Sequence, residues 1–190
     1  MSIRIKVANT AKELDDVFTL RHEVFIQERG KFSSSSLDSP RIVDHFDTLP
    51  GVANVVAYEG SKAIATLRVN RDSPIGLPAD GHYDFSNIRS RIMRKYQESN
   101  GQEPIFVSGS MLAIHKDYRN KKNVIFALFK TAIGVMYSWD ATHVIASISE
   151  ESLSLYGRLG FEAIDDPLWS ESVGDTLIPL LAPFNKVFDW

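Results

Sequence analysis

The 190-residue chain contains no cysteine. That excludes disulfide staples, thiolate zinc sites and any acyl-cysteine intermediate. Long apolar runs are also missing, every hydrophobic stretch being broken by charge well short of the roughly 18 residues a membrane span needs. No charge of one sign dominates: 21 Lys plus Arg stand against 24 Asp plus Glu, a net of −3, so no global basic surplus points to nucleic acid. The five histidines, at 22, 45, 82, 115 and 143, show no H-E-x-x-H or comparable metal spacing. There is no G-x-S-x-G elbow, and Gly60-Ser61-Lys62 lacks the upstream glycine of a P-loop. Ile3, Ile5 and Val7 alternate with Arg4 and Lys6, which reads as a strand and not as a signal-peptide core. The expectation is a cytoplasmic protein without metal, nucleic acid or stable membrane insertion.

What the chain does have is 44% hydrophobic residues and a length that fits one domain, 1–190. Such a domain buries roughly 70% of the surface its unfolded chain exposes. Thr10 and Glu13 form a capping-box pattern ahead of Leu14, Val17, Phe18, Arg21, Val24 and Phe25, which recur at helical spacing up to Gly30. Arg21 falls inside that apolar stripe, so a carboxylate is expected to meet it. Residues 31–41, with Ser33-Ser34-Ser35-Ser36, read as a loop, either a plain surface loop or a flap over a site.

Two β-rich runs, 52–58 and 63–69, flank Glu59-Gly60-Ser61-Lys62 as a hairpin. An irregular Pro/Gly segment follows, and then Ile88, Ile92 and Tyr96 mark one face of a helix that carries Arg91, Arg94 and Lys95 on the other. A central strand over 105–114 precedes a strong helix over 123–139, whose stripe is Ile125, Leu128, Phe129, Ala132, Ile133 and Met136. Strands over 143–148, 161–164 and 176–181 surround a short helix with Leu153, Leu155 and Tyr156. Antiparallel strands first and a strand–helix–strand unit later give a mixed sheet flanked by helices, an α/β fold.

The densest chemical signal is Met111-Leu112-Ala113-Ile114 running through His115 to Tyr118 into Arg119-Asn120-Lys121-Lys122-Asn123-Val124. A strand that feeds a helix start through a basic loop suits an anion such as a phosphate, because the first-turn amides and the helix dipole both point there. An ordinary strand-to-helix turn with solvated lysines is the equal alternative. Tyr156 sits near the end of a short helix closed by Gly160, where its phenol is either a proton donor or a packing residue. His45, beside two aspartates, is a base or a structural hydrogen-bonding group.

Together these stretches resemble the GNAT superfamily of N-acyltransferases. Its donor loop reads R/Q-x-x-G-x-G/A, with Arg119 at the first position here and Lys122 and Val124 where the glycines usually stand. Leu155-Tyr156-Gly157-Arg158-Leu159-Gly160-Phe161 is similar to its L-Y-x-x-x-G-F segment. In the first half, Arg21-His22-Glu23-Val24-Phe25, Asp44-His45-Phe46-Asp47 and Leu67-Arg68 resemble the R-x-x-V-F, D-x-x-D and L-R series of acyl-homoserine-lactone synthases and the related N-acyl amino acid synthases. The acidic residue and arginine of the lactone synthases' E-x-S-R-F are replaced within Val107-Ser108-Gly109-Ser110-Met111.

The resemblance implies a GNAT-type fold in which two central strands splay apart for the donor's pantetheine arm. It implies direct transfer of an acyl group, long-chain and carried on acyl carrier protein or coenzyme A, to the amine of a small acceptor such as an amino acid. Residues 111–114 and 119–124 would hold the donor, its acyl-phosphopantetheine included. Arg21, Phe25, Arg68, Ser108 and Ser110 would line the substrate site. Tyr156 would be the general acid, with Glu28, Asp44 and Asp47 as candidate bases. The basic residues at 119–122 and 89–95 would suit an acidic carrier protein. An acetyl-coenzyme A acetyltransferase and a non-catalytic thioester-binding domain are the alternatives.

Overall fold

The computed structural model describes residues 2–32 and 39–189. The serine run expected as a loop lies outside them. One eight-stranded sheet organises the chain, in the order β1-β2-β3-β4-β5-β8-β6, with β7 also paired to β8. Its strands are β1 (Ile3–Val7), β2 (Val52–Glu59), β3 (Lys62–Arg71), β4 (Phe106–Ile114), β5 (His143–Ser149), β6 (Glu162–Ala163), β7 (Leu168–Ser170) and β8 (Asp175–Pro183). Every pairing is antiparallel except β4 with β5.

Helix α1 (Ala11–His22) starts where Thr10 accepts a hydrogen bond from the Glu13 amide at 3.3 Å, as the capping pattern predicts. It runs on as a π-helix over Glu23–Glu28 and ends before Gly30, whose φ of +62° suits glycine. Helix α2 (Ser86–Asn100) packs half-buried Ile88 and Ile92 on Leu77, Phe85, Phe106 and Ile145 and exposes Arg91, Arg94 and Lys95. Helix α3 (Lys122–Ser138) buries Val124, Leu128, Phe129, Ala132, Ile133 and Met136, very nearly the expected stripe. Helices α4 (Leu153–Arg158) and α5 (Phe184–Phe188) complete the set. Among the described residues no helix is long and apolar enough to cross a membrane.

Strand parity gives the sheet two different faces. One carries Val55, Leu67, Val69, Val107, Val144 and Ala146, and these form the main core with α3, α4 and α5. On the opposite face, under α1, Asn54 of β2 lies across from Arg68 of β3, which lies across from Ser110 of β4. Asn70 and Ser108 form the next cross-strand pair on that side. A helix-packed apolar face opposite a polar, buried face is unusual for a sheet core, because unpaired buried polar groups are costly. That contrast locates the site.

Candidate active site

Arg21 leaves α1 at 0% exposure and finds the carboxylate its position calls for. Asp47 accepts from Arg21 Nη1 with both oxygens, at 2.9 and 3.0 Å, and Asn54 accepts from Nη2. Arg68, at 1% exposure, meets Asp44 with Nη1 at 2.6 Å and Nη2 at 3.0 Å and reaches Asp47 at 2.9 Å. Its Nε donates to Ser110 at 3.0 Å. Asp44 and Asp47 are held in turn by a short 3-10 turn, His45–Thr48, in which Asp44 accepts from the Phe46 amide and Asp47 from the Asp44 amide. The D-x-x-D spacing is therefore a capping box that aims both carboxylates at the sheet.

Two arginines and two aspartates leave this cluster neutral. Burial would raise the Asp47 carboxyl, but the charges of Arg21 and Arg68 hold it below the ordinary carboxylate range. Burial also pulls the Arg21 guanidinium down to about 10, even with Asp47 against it. Of the two carboxylates only the Asp44 side chain meets solvent, at 31% exposure against 1% for Asp47. His45 is exposed and tilted against Phe46, with ring centroids 4.1 Å apart. Among the described residues its ring makes no hydrogen bond to either aspartate.

Strands β4 and β5 pair only at Phe106–His143, Val107–Val144 and Ser108–Ile145. Beyond Ser108 they part, and among the described residues no strand covers the β5-facing side of β4 over the rest of its length. On its other side β4 carries a bulge: Thr66 and Arg68 pair with Ala113 and Ser110, so Met111 and Leu112 share one position opposite Leu67. Met111 takes φ +53°, rare for a side chain of that size. The splay expected from the resemblance is present, with a strained residue, Met111, at its edge.

Past Ile114 the chain makes a 3-10 turn at Lys116–Tyr118 and enters α3. Lys121, Lys122 and Asn123 are exposed, and no acidic residue occupies the helix's first turn. Val124 is different: its side chain is 1% exposed, in the core, and its amide donates to the Lys121 carbonyl at 2.9 Å. Arg119 spans back to the Ile114 carbonyl at 3.1 Å and ion-pairs with Glu28. The structure thus carries Glu28 to the loop that precedes α3 and not to the Asp44–Asp47 cluster. The wider π turn rotates residues 23–28 away from the stripe on which Arg21 lies.

Residues 28–32 form a strap across the parted strands. Glu28 holds Arg119 on the β4 side, and Arg29 pairs with Glu151 on the β5 side. Lys31 contacts Asp175 at 2.5 Å and Ser149 at 3.0 Å, and Phe32 donates its amide to the Val173 carbonyl. Half-buried Phe25 meets Phe32 edge-to-face at 5.4 Å.

Tyr156 stands on the apolar side of the same opening. It packs edge-to-face on Phe161 at 5.1 Å and on Phe129 at 5.8 Å. With Gly109, Met136 and Val144 it lines a cavity of about 20 Å³. Burial pushes its phenol up to about 12, so it stays protonated at any physiological pH. It is a donor or a bystander, never a base.

Sequence reasoning missed Asn54 and Asn70, although each is a polar residue at an inward position of an apolar strand. It also missed Lys31 and Asp175, for which no local signal exists. The basic residues 89–95 do not join those at 119–122. Arg89 is consumed by Asp72 and Asp80, and α2 packs at the start of β4, roughly 27 Å of strand from its far end.

The model of the N-acyl amino acid synthase FeeM family matches residues 16–182. No curated protein matches the sequence significantly. Among solved structures, the N-acyl amino acid synthase FeeM from uncultured soil microbes is 14% identical and aligns over 97% of this chain and 92% of that one, with a TM-score of 0.74. The coenzyme A-dependent acyl-homoserine lactone synthase BjaI, with S-adenosylmethionine and isopentyl-coenzyme A, is 17% identical over 98% and 85%, TM-score 0.67. An acyl-coenzyme A N-acyltransferase from Pseudomonas aeruginosa is 20% identical over 96% and 99%, TM-score 0.63. The fold is the GNAT fold, and the chain, an N-acyltransferase, belongs to the FeeM family of N-acyl amino acid synthases.

Proposed function

We propose that the enzyme moves a long-chain acyl group directly from a phosphopantetheine thioester to the primary amine of a small acceptor such as an amino acid. The carrying observation is the opening between β4 and β5 beyond Ser108 and Ile145, which has a polar face on one side and Tyr156 on the other. The thioester lies in that opening, and the backbone donors of β4 beside Met111 polarise its carbonyl. The acceptor nitrogen attacks, the C–N bond forms and the C–S bond breaks. Asp44, the solvent-reachable carboxylate, takes the amine proton through water, and Tyr156 returns one to the thiolate. Ser110 and the Arg21–Asp47–Arg68 cluster hold the wall on the acceptor side. Both arginines already have carboxylates, so they shape the site and do not clamp a free acid.

Acyl carrier protein is the proposed donor. Lys62, Lys116, Lys121 and Lys122 are all exposed at the end of β4 where the opening faces out. Lys122 stands at the place of one of the family's glycines, and its exposed side chain leaves less room for a nucleotide and pyrophosphate against the loop, while Val124 turns its side chain into the core. A carrier protein brings only one phosphate, and its acidic surface complements the lysines. Acetyl transfer from coenzyme A is the second reading, favoured by a cavity of about 20 Å³ that holds no long chain as it stands.

The test is thiol release and product mass with mixed acyl carrier protein and coenzyme A thioesters and a panel of free amino acids. Long-chain N-acyl amino acids formed from the carrier protein are expected. Turnover confined to acetyl-coenzyme A rejects the proposal.

A further inference from the structure

We propose that Asn70 and Ser108 bind the acceptor amine, which reaches them from the acidic bowl at the end of β3. The proposal rests on the acyl-transfer reading above and assigns residues to its acceptor. Asn70 and Ser108 are cross-strand partners at 2% and 1% exposure, so their side chains lie about 5 Å apart at Cβ. Asn70 Nδ2 donates to the Phe46 carbonyl at 3.1 Å, which fixes the amide's orientation and leaves Oδ1 as a pure acceptor. Among the described residues neither Asn70 Oδ1 nor Ser108 Oγ has a partner, and Ser147 Oγ on the neighbouring strand has none either. Ser108 and Ser147 flank the foot of the opening between β4 and β5, Asn70 lies one strand over on β3, and three unpartnered buried oxygens on one face are costly unless something uses them.

The chemistry they call for is an N–H donor. A thioester carbonyl offers only acceptors and cannot pair with Asn70 Oδ1. The amides of a pantetheine arm do donate, but that arm follows the gap between β4 and β5, whereas Asn70 stands on β3, on the far side of β4. A primary amine fits. Neutral oxygens also hold it without stabilising the ammonium form as a carboxylate would, so the lone pair stays available for attack.

The proposed approach is from the end of β3, where an open bowl begins at Asp72, beyond Asn70. Asp72 continues the ladder by donating its amide to the Phe106 carbonyl at 3.0 Å, two positions beyond Asn70. Asp72, Asp80 and Asp84 line an open bowl of about 710 Å³, against which Arg89 is the permanent cation. His82, also in the bowl, is pulled below its ordinary pKa by burial and stays neutral. The bowl is net negative and draws in a protonated amine.

The test pairs kinetics with a binding measurement on the full chain. Ser108→Ala is expected to raise the acceptor KM at least tenfold, with donor KM within twofold and Tm equal to or above wild type. Asn70→Ser should do the same to KM. Independently, 15N-labelled wild type titrated with the amino-acid panel should show a saturable shift of the Asn70 side-chain amide signal, and Ser108→Ala should weaken it. An acceptor KM unchanged in both variants, where the wild type does transfer acyl groups, overturns the inference, as does the absence of any saturable shift, which leaves only a structural water for these oxygens. A saturable shift without acyl transfer upholds the amine site and rejects the proposed reaction instead.

Discussion

Replacing Asp47 by alanine isolates the physics of the buried cluster. Its carboxylate meets Arg21 twice, at 2.9 and 3.0 Å, and Arg68 at 2.9 Å, with the side chain 1% exposed. Removal leaves two buried guanidiniums and one carboxylate, so a positive charge is stranded away from water. Breaking a buried pair in this way costs about 3–5 kcal/mol. In a chain of this size that lowers Tm by roughly 10 °C. The double variant Arg21→Met/Asp47→Leu removes one charge of each sign and should recover most of the loss. The stabilisation must also depend on pH. Because folding depresses the Asp47 pKa, its contribution is complete above the unfolded carboxyl value near 4 and is lost as pH falls through the lower folded value. Urea unfolding of wild type and both variants between about pH 2 and 7 measures this. Asp47→Ala within about 1 kcal/mol of wild type at pH 7 would refute the reasoning, as would a difference that persists undiminished at low pH.

Three further outcomes follow from neighbouring geometry. Tyr156→Phe removes a buried hydroxyl, so urea stability should change by less than ~1 kcal/mol while kcat falls by about tenfold with KM steady. An unaltered kcat makes Tyr156 a packing residue. Glu28→Gln frees Arg119, and the donor KM should fall roughly threefold at low salt, with acceptor KM unaffected and the gain erased by salt. Gly160→Ala places a Cβ 2.9 Å from Lys186 Cβ at a φ of +85°, which should cost about 1–3 kcal/mol in urea unfolding.

The fold was legible where burial imposes a period. The α3 stripe, the β2–β3 hairpin and the cap at Thr10 follow from local chemistry and stand where that chemistry puts them. Arg21 was legible for a different reason: a charge inside an apolar stripe has to be neutralised. Its partner Asp47 lies 26 residues away, and only the resemblance brought it into the same set. Short elements left no such trace. Strand β7 has three residues, with Trp169 60% exposed, and α5 has five. The bulge at Met111 is equally silent, since no glycine marks its left-handed backbone. The pairing of Glu28 with Arg119, 91 residues on, leaves no local trace, and the π turn that carries it has no sequence signature of its own.

Cysteine's absence and the two-faced sheet lead to one kinetic consequence. With no thiol to hold an acyl group, with Ser149 held between Asp175 at 2.5 Å and Lys31, and with no base hydrogen-bonded to Ser108 or Ser147, the described residues beside the opening include no activated nucleophile to carry a covalent intermediate. Lys31 is itself pinned by Asp175 and cannot act as the base a serine would need. Donor and acceptor therefore have to be present together. On the proposed reading the donor comes to the end of β4 marked by Lys121 and Lys122, and the amine to the end marked by Asp72, on opposite ends of the same strand. Neither approach obstructs the other, so either substrate can bind first. Initial-rate data should give intersecting double-reciprocal lines, with each substrate's KM nearly independent of the other's concentration. Parallel lines, or acylated protein in the mass spectrum after mixing with donor alone, would establish a covalent relay that this arrangement of side chains does not provide.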